Sequence, residues 1–164
     1  MERYYPIMID VQGGTFSMGC DTTLNQRCED DEALHLQEVS DFKMAKYETT
    51  WWQYNLFCAA TRQEYEAPEW GREGNNPAVN ISWFDAVLYI DWLNNQFSRD
   101  TVHEISNKTK GDYGDYYDVT LISGTSGFRL PTEAEWEYVA KGGIHQSSYI
   151  YAGGNDIDLS LIHI

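Results

Sequence analysis

One twelve-residue segment organises the rest of this sequence: Gly127-Phe128-Arg129-Leu130-Pro131-Thr132-Glu133-Ala134-Glu135-Trp136-Glu137-Tyr138. Pro131 fixes its own φ and has no N–H to donate to a sheet, so we expect an apolar strand to end before it. Thr132 suits a helix N-cap, and Glu135 three residues later completes a T-x-x-E capping box. The segment therefore predicts a strand that leads directly into a capped helix.

The helix that begins at Thr132 is predicted to be short. Trp136 and the following Val139-Ala140 recur at helical spacing and give the helix one apolar face, so Trp136 is expected in the core. Lys141 and Gly142-Gly143 place a cation at the negative end of the helix dipole and glycines where the backbone must turn left-handed. The helix is therefore expected to end there.

The composition is acidic and rich in aromatic residues. The 164 residues fit one domain, which is large enough to fold without a metal or a disulfide. Eleven basic and 26 acidic residues give a formal net charge of −15, which disfavours nucleic acid and anionic membrane surfaces as partners. No apolar run approaches the ~20 residues of a membrane span. A cationic ligand, a peptide or a calcium ion fits this charge better.

The N-terminus and the cysteines leave the compartment open. Residues 1–6 lack the apolar segment of a signal peptide, so the protein is cytoplasmic, or secreted or periplasmic with its leader removed. Cys20 and Cys28 lie in one loop, where they form a small disulfide only if the compartment is oxidising. Cys58 lies on the apolar face of a predicted helix, and we expect a buried, inert thiol there.

The first 47 residues are predicted to form strands and one loop. The Gly13-Gly14 pair is expected to turn the first two strands into a hairpin. The loop 19–35 contains the acidic run Glu29-Asp30-Asp31-Glu32, which we interpret as solvated, because consecutive like charges rarely converge on one calcium ion. The predicted strands are 7–11, 15–18, 35–39 and 42–47.

Two further helices are predicted to begin at Thr50 and at Ser82. Gln53 completes the capping box of the first helix, and Asp85 completes that of the second, which runs over about 83–97. An aromatic stripe at helical spacing is more often core than ligand cleft. The residues predicted to face the core are Trp51, Tyr54, Phe57 and Cys58 in the first helix and Trp83, Ala86, Val87, Ile90, Leu93 and Phe97 in the second.

Candidate functional residues outside the opening segment are few. The long loop 62–80 contains Trp70, which is a candidate for lining a cleft. Asp85 and Asp91 are candidate catalytic carboxylates, but the helix dipole accounts for Asp85, and we expect Asp91 to be exposed. P-loop, Gly-x-Gly-x-x-Gly, His-Glu-x-x-His and paired Cys-x-x-Cys motifs are absent. Composition and spacing alone therefore name no chemistry.

The remaining elements complete an α+β pattern of three helices among short strands and long loops. Turns are predicted over 123–127 and 153–155. Strands are predicted over 102–105, 117–122 and 148–151.

Four blocks occur in order along the chain: residues 13–19, residues 46–50 with Tyr54 and Phe57, residues 76–86 with Tyr89 and Trp92, and residues 128–143. Together they resemble the formylglycine-generating enzyme family, also called sulfatase-modifying factors, over about residues 7–158. The last block is the most specific, since it is very close to the family's Tyr-Arg-Leu-Pro-Thr-Glu-Ala-Glu-Trp-Glu-Tyr signature. The resemblance assigns a structural role to Trp83, Asp85, Arg129, Pro131, Thr132, Glu133, Glu135 and Trp136.

The resemblance implies a variant of the C-type-lectin-like fold and an activity. Enzymes of the family oxidise a cysteine of a sulfatase peptide to formylglycine, using molecular oxygen and a copper ion held by two cysteines, while calcium ions are structural. A sulfatase or another peptide is then the implied partner. We expect the signature to be scaffold, with Arg129 paired to a nearby carboxylate.

The family's catalytic cysteines and most of its calcium ligands belong to blocks that have no counterpart in this sequence. We therefore expect residues 1–158 to be the N-terminal part of one such domain and residues 159–164 an atypical tail, with an exposed edge prone to self-association. No catalytic residue and no copper or calcium site is predicted in this chain. Two hypotheses follow: an oxidase that is inactive as this fragment, or a non-catalytic binding or surface module on the same scaffold.

Overall fold

The computed structural model describes residues 5–21, 23, 28, 33–64, 68, 69, 71, 74–111 and 114–145. This part of the chain has three α-helices and six short β-strands, in agreement with the predicted α+β class. It forms two compact units, Met1–Tyr5 with Glu48–Leu130, and Pro6–Tyr47 with Pro131–Ile164. None of the described helices has both the length and the apolar composition needed to cross a membrane. The elements predicted over 148–155 lie outside the described residues.

The first unit contains helices α1 (Trp51–Thr61) and α2 (Trp83–Gln96), and both predicted capping boxes are confirmed. In the first box, Gln53 N donates to Thr50 Oγ1 at 3.3 Å and Thr50 N donates to Gln53 Oε1 at 2.9 Å. Ser82 and Asp85 form the same reciprocal pair. These bonds satisfy N–H groups that have no partner within the helix.

The end of the long loop 62–80 folds back on the start of α1. Trp51 N donates to the carbonyl of Asn76 at 2.8 Å, and Trp52 N donates to that of Gly74 at 3.0 Å. This loop segment therefore completes the cap of α1, because it supplies acceptors for the first two helical N–H groups.

The core of the first unit lies between α1 and α2. The predicted stripe of α1 is confirmed, since all four residues are buried, and its rings pack on Tyr89 of α2. Trp83 was also predicted to face the core, but it is 53% exposed and its ring packs on Phe84. The buried cluster consists of Trp51, Tyr54, Phe57, Cys58, Tyr89, Ile90, Leu93 and Val102.

A long hairpin of β5 (His103–Gly111) and β6 (Gly114–Leu121) packs along α2. The polar segment expected to connect two shorter strands instead continues the ladder. Phe84 contacts Tyr117 at a ring distance of 5.8 Å, and two helical turns later α2 contacts the start of β5. Helix α2 thus contacts the hairpin at these two points and packs on α1 through Tyr89.

The second unit is built on a long antiparallel ribbon. Strand β1 (Met8–Val11) pairs with β4 (Phe42–Ala45), and β2 (Gly14–Met18) pairs with β3 (His35–Val39). The predicted strands are confirmed, but the hairpin predicted between the first two is wrong. Met8 faces Ala45 and Gly14 faces Val39, so the two pairs share one register that is interrupted at residues 12–13 and 40–41.

Gly13 explains why this interruption is not a hairpin turn. A Cβ at Gly13 would lie 2.2 Å from the carbonyl oxygen of Val39. The N–H of Gly13 donates to Asp41 Oδ1 at 2.8 Å. The glycine therefore permits a close approach between two strands that continue past each other.

Helix α3 (Glu133–Ala140) and a short 3-10 turn (Gly143–His145) follow in the second unit. The predicted box is confirmed, since Thr132 N donates to Glu135 Oε2 at 2.8 Å and Glu135 N donates to Thr132 Oγ1 at 3.2 Å. The strand predicted before it is wrong, because residues 127–130 are irregular backbone.

The core of the second unit is formed by Tyr138, Phe16 and Val39. Trp136 was predicted in this core but is 62% exposed, while Tyr138 is fully buried. Helix α3 turns Tyr138 towards Phe16 of the ribbon, and successive residues point about 100° apart around a helix, so Trp136 points elsewhere.

Candidate functional site

The end of the signature helix α3 holds the backbone of the ribbon around Gly19. Gly19 N donates to Glu137 Oε1 at 2.8 Å. Lys141 Nζ donates to the carbonyls of Gly19 at 3.0 Å and Ser17 at 2.9 Å, and it forms an ion pair with Glu137 at 2.6 Å. Charge-assisted bonds of this kind are stronger than neutral ones. The helix end thus fixes both backbone polar groups of Gly19.

Cys20 follows directly and forms a disulfide with Cys28, with the two Cα atoms 5.6 Å apart. Cys20 also forms an isolated bridge with Ala33, just beyond the last pair of the ribbon. The acidic run 29–32, weighed above as a calcium loop, lies outside the described residues. So does Trp70, which was predicted to line a cleft.

The N-terminal end of the signature block 128–143 is held at Phe128 by Asn94 of α2, whose side chain is buried and 1% exposed. Its Nδ2 donates to the carbonyl of Phe128 at 2.9 Å, and Phe128 N donates to its Oδ1 at 2.7 Å. This pairing replaces the strand expected before Pro131, because the side-chain amide supplies the bonds that a neighbouring strand would make. Arg129 is exposed and donates to the carbonyl of Leu130 at 3.0 Å, so its predicted carboxylate partner stays a prediction.

The preceding turn is held by charged side chains. Ser126 N and its Oγ both donate to Asp100 Oδ2 at 2.8 Å, which lowers the pKa of Asp100. The guanidinium of Arg99 lies over the ring of Phe128, 4.4 Å from its centroid, and also bonds to Tyr5. These contacts give the segment a rigid position in the first unit.

Asp91, predicted to be exposed, pairs with His103. Its Oδ1 lies 2.8 Å from His103 Nδ1, and the two side chains are 20% and 5% exposed. A carboxylate that accepts from Nδ1–H fixes the tautomer of an imidazole, as in catalytic acid–base pairs. The imidazole here is nearly inaccessible, so we assign the pair to the joining of α2 and β5.

Asp85 and Trp83 both serve the start of α2. The Asp85 carboxylate accepts from the backbone and the hydroxyl of Ser82, at 3.2 and 2.6 Å, which is a capping role. Trp83, Phe84 and Tyr117 form a row of touching rings.

Reasoning from the sequence missed the roles of Asn94 and His103 and the contacts of Glu137 and Lys141 with Gly19. A buried amide in an otherwise apolar helix face is the only signal for Asn94. The contacts of the others join residues far apart in the chain, and composition does not report them.

The cysteines do not fit the copper ion that the resemblance implies. Two reduced thiols must lie together, but Cys20 and Cys28 are joined in the second unit and Cys58 is buried in the core of the first. In the described ranges, no group of three or more His, Cys, Asp or Glu side chains is arranged to hold a metal ion. No catalytic step is therefore assigned to copper at these residues.

Comparison with known families and proteins gives consistent matches. A family model for the sulfatase-modifying factor enzyme 1-like domain matches residues 1–160. The chain is 30% identical over 127 residues to Chaperone protein LppX of Paenibacillus barcinonensis, covering 73% of this chain and 43% of that protein. It is 28% identical over 174 aligned positions to the formylglycine-generating enzyme of Mycobacterium tuberculosis, covering 90% and 54%. With the enzyme of that name from Thermomonospora curvata it shares 30% over 115 residues, covering 67% and 25%.

The chain therefore spans about half or less of the length of these relatives. Among solved structures, CarF matches with a TM-score of 0.64 and 23% identity over 93% of this chain and 64% of that chain. PvdO of Pseudomonas aeruginosa matches with a TM-score of 0.50 and 19% identity over 64% and 45%. At these identities the structural matches bear on the fold alone, and they show a shared fold.

Proposed function

Since this chain belongs to the family of sulfatase-modifying factor enzyme 1-like domains, we propose that the whole protein acts as a formylglycine-generating enzyme. In this proposal the described residues supply the scaffold of the domain, and the catalytic thiols lie outside them. The fold would then be the C-type-lectin-like variant implied by the resemblance. The observation that carries the proposal is the match to formylglycine-generating enzymes over 67% and 90% of the chain.

The reaction converts a peptide cysteine into an aldehyde. The sulfur leaves as hydrogen sulfide and O₂ is the oxidant, so one peptide cysteine and one O₂ give the aldehyde, hydrogen sulfide and one water molecule. This balance requires two electrons and two protons from a thiol reductant. The contribution of the described residues is positional: Asn94 fixes the front of the signature, and Glu137 with Lys141 fixes the ribbon on its helix.

A binding module is the second candidate, and a specific observation favours it. The relative matched over 127 residues is named a chaperone protein, and the described cysteines do not form a thiol pair. A formal net charge of −15 suits a basic protein partner.

The experiment incubates the whole protein with copper, oxygen, a thiol reductant and a Cys-x-Pro-x-Arg peptide. The oxidase proposal expects the peptide to lose its thiol and gain an aldehyde, detected by mass and by hydrazide capture. A peptide with Ser in place of Cys is the substrate control. The variant Cys58→Ser is the protein control and is expected to retain activity, because Cys58 is a buried core thiol.

An unchanged Cys peptide would overturn the oxidase proposal. If the same protein then suppresses aggregation of a denatured partner, the chaperone-type function is supported. The 164-residue chain alone is expected to show no turnover, and turnover by it would refute the assignment of the catalytic thiols to other residues.

A further inference from the structure

The Cys20–Cys28 disulfide and the Gly19 clamp, defined as Glu137 and Lys141 with the Gly19 backbone, are adjacent in the chain and in space. We propose that the disulfide is an oxidation-dependent stabiliser of this clamp and, through it, of the packing of the ribbon on α3. This inference goes beyond the proposed function and does not depend on it.

The geometry of the clamp requires Gly19 to hold one backbone conformation. Gly19 has a φ of 100°, a left-handed value that glycine adopts easily and that it also leaves easily. Its N–H and its carbonyl must both point at α3 to reach Glu137 and Lys141. The next residue, Cys20, is tied to Cys28 eight residues later and bridges to Ala33. The disulfide therefore restricts the chain directly after the flexible glycine.

The clamp in turn bears on the signature helix. Glu137 and Lys141 flank Tyr138, whose ring packs on Phe16 of the ribbon at 5.3 Å and whose hydroxyl donates to the carbonyl of Gln12 at 3.1 Å. Loss of order at Gly19 removes one of the two carbonyl acceptors of Lys141 and the backbone donor to Glu137. Two partly buried charges then lose hydrogen bonds, which destabilises the C-terminal half of α3.

The redox step balances as thiol–disulfide exchange. On oxidation the two thiols give up two hydrogen atoms, a disulfide-containing oxidant accepts them, and the oxidant becomes a dithiol. On reduction a dithiol forms its own disulfide while the Cys20–Cys28 bond breaks. Such bonds persist outside the reducing cytoplasm, so the inference favours the secreted or periplasmic setting among those the sequence leaves open.

The first measurement counts thiols in the full chain purified under oxidising conditions. Alkylation after unfolding without reductant is expected to label Cys58 alone, and alkylation after reduction is expected to label all three cysteines. Three labelled thiols before reduction would overturn the proposal at once.

The second measurement compares oxidised and reduced protein by thermal unfolding and by hydrogen exchange. A disulfide that closes a short loop and a chain of this size predict a fall in melting temperature of about 5–10 °C on reduction. Exchange is expected to accelerate about tenfold or more at the Gly19 amide and in α3, and to stay unchanged in α1 and α2. The double variant Cys20→Ser/Cys28→Ser should reproduce the reduced behaviour without added reductant. Uniform acceleration, or none, would contradict a local stabiliser.

The third measurement tests the coupling itself. In Lys141→Met the clamp is already broken, so reduction should lower the melting temperature by clearly less than in the unaltered protein. Lys43→Met is the matched control, because Lys43 pairs with Asp10 on the exposed side of the same ribbon, away from Gly19. Reduction should affect this control as it affects the unaltered protein. Equal effects of reduction in both variants would refute the link between the disulfide and the clamp.

Discussion

Asn94→Ala is expected to destabilise the first unit strongly, although residue 94 lies far in sequence from the segment it holds. The substitution removes two hydrogen bonds, of 2.9 and 2.7 Å, and leaves the N–H and the carbonyl of Phe128 without this partner. Each such bond contributes about 1 kcal/mol net, and each buried group left unpaired costs about 1–3 kcal/mol. Some water can reach the partly buried Phe128, so we expect a total loss of about 3 kcal/mol.

Urea and thermal unfolding provide the assay. A loss of this size corresponds to a fall in melting temperature of roughly 6–12 °C for a chain of this length. Asn95→Ala is the matched control, since the neighbouring side chain is exposed, and it should change stability by no more than about 0.5 kcal/mol. If the two variants unfold alike, the side chain of Asn94 does not hold the signature segment, and the assignment fails.

Asn94→Asp separates the hydrogen bonds from the volume of the side chain. The carboxylate keeps the acceptor for Phe128 N but faces the carbonyl of Phe128 without a proton to donate. Burial and this repulsion should raise the pKa of the new carboxyl group. A raised pKa places the best stability of the variant at low pH, with a loss as pH rises through the folded-state pKa. A variant whose stability relative to the unaltered protein does not change with pH would contradict this account.

Three further outcomes follow from the described geometry. Gly13→Ala should lower the free energy of unfolding in urea by about 3 kcal/mol, because a Cβ there lies 2.2 Å from Val39 O. Gly124→Ala is the control: its Cβ would meet open space, and its φ of 78° should lower the free energy of unfolding by only about 1–2 kcal/mol. Equal losses in the two variants would rule out the close approach at Gly13. Ser82→Ala should cost about 1 kcal/mol through the lost cap of α2, measured against Ser123→Ala, and a cost no larger than that control would refute the capping role. Burial raises the pKa of Tyr89 to about 12, so the contribution of this shift to stability is complete below about pH 10 and is lost as pH rises towards 12. Ultraviolet titration of the unaltered protein should show one tyrosine that ionises at high pH and that is absent in Tyr89→Phe. Identical titration curves for the two proteins would contradict this assignment.

Local chemistry made part of the fold predictable. All three helices begin at Thr50, Ser82 and Thr132, where a short oxygen-bearing side chain and a partner three residues on satisfy the first N–H groups. The stripe of α1 was equally clear, because four large apolar residues at helical spacing have only one face to bury. The family followed from the same segments, since the capping boxes are part of the matching blocks.

Contacts between distant residues could not be predicted in the same way. The glycine pair at residues 13 and 14 has the composition of a turn, but the pairing depends on β3 and β4, which lie over twenty residues later. Trp136 and Tyr138 are both aromatic residues on a short helix, and only the position of the ribbon decides which is buried. Asp91 was expected in solvent because its partner His103 belongs to a different element.

The second unit has a consequence for the order of events during synthesis. Its ribbon is complete at Ala45, but the helix that covers Phe16 and Val39 begins only at Glu133, roughly 90 residues later. At typical elongation rates the ribosome needs about 5–20 s to reach it. An isolated two-stranded ribbon is marginally stable in water, so the nascent N-terminus should wait unfolded while residues 48–130 assemble. Once the chain is in an oxidising compartment, the bond between cysteines eight residues apart constrains the ribbon end without any contribution from the later residues.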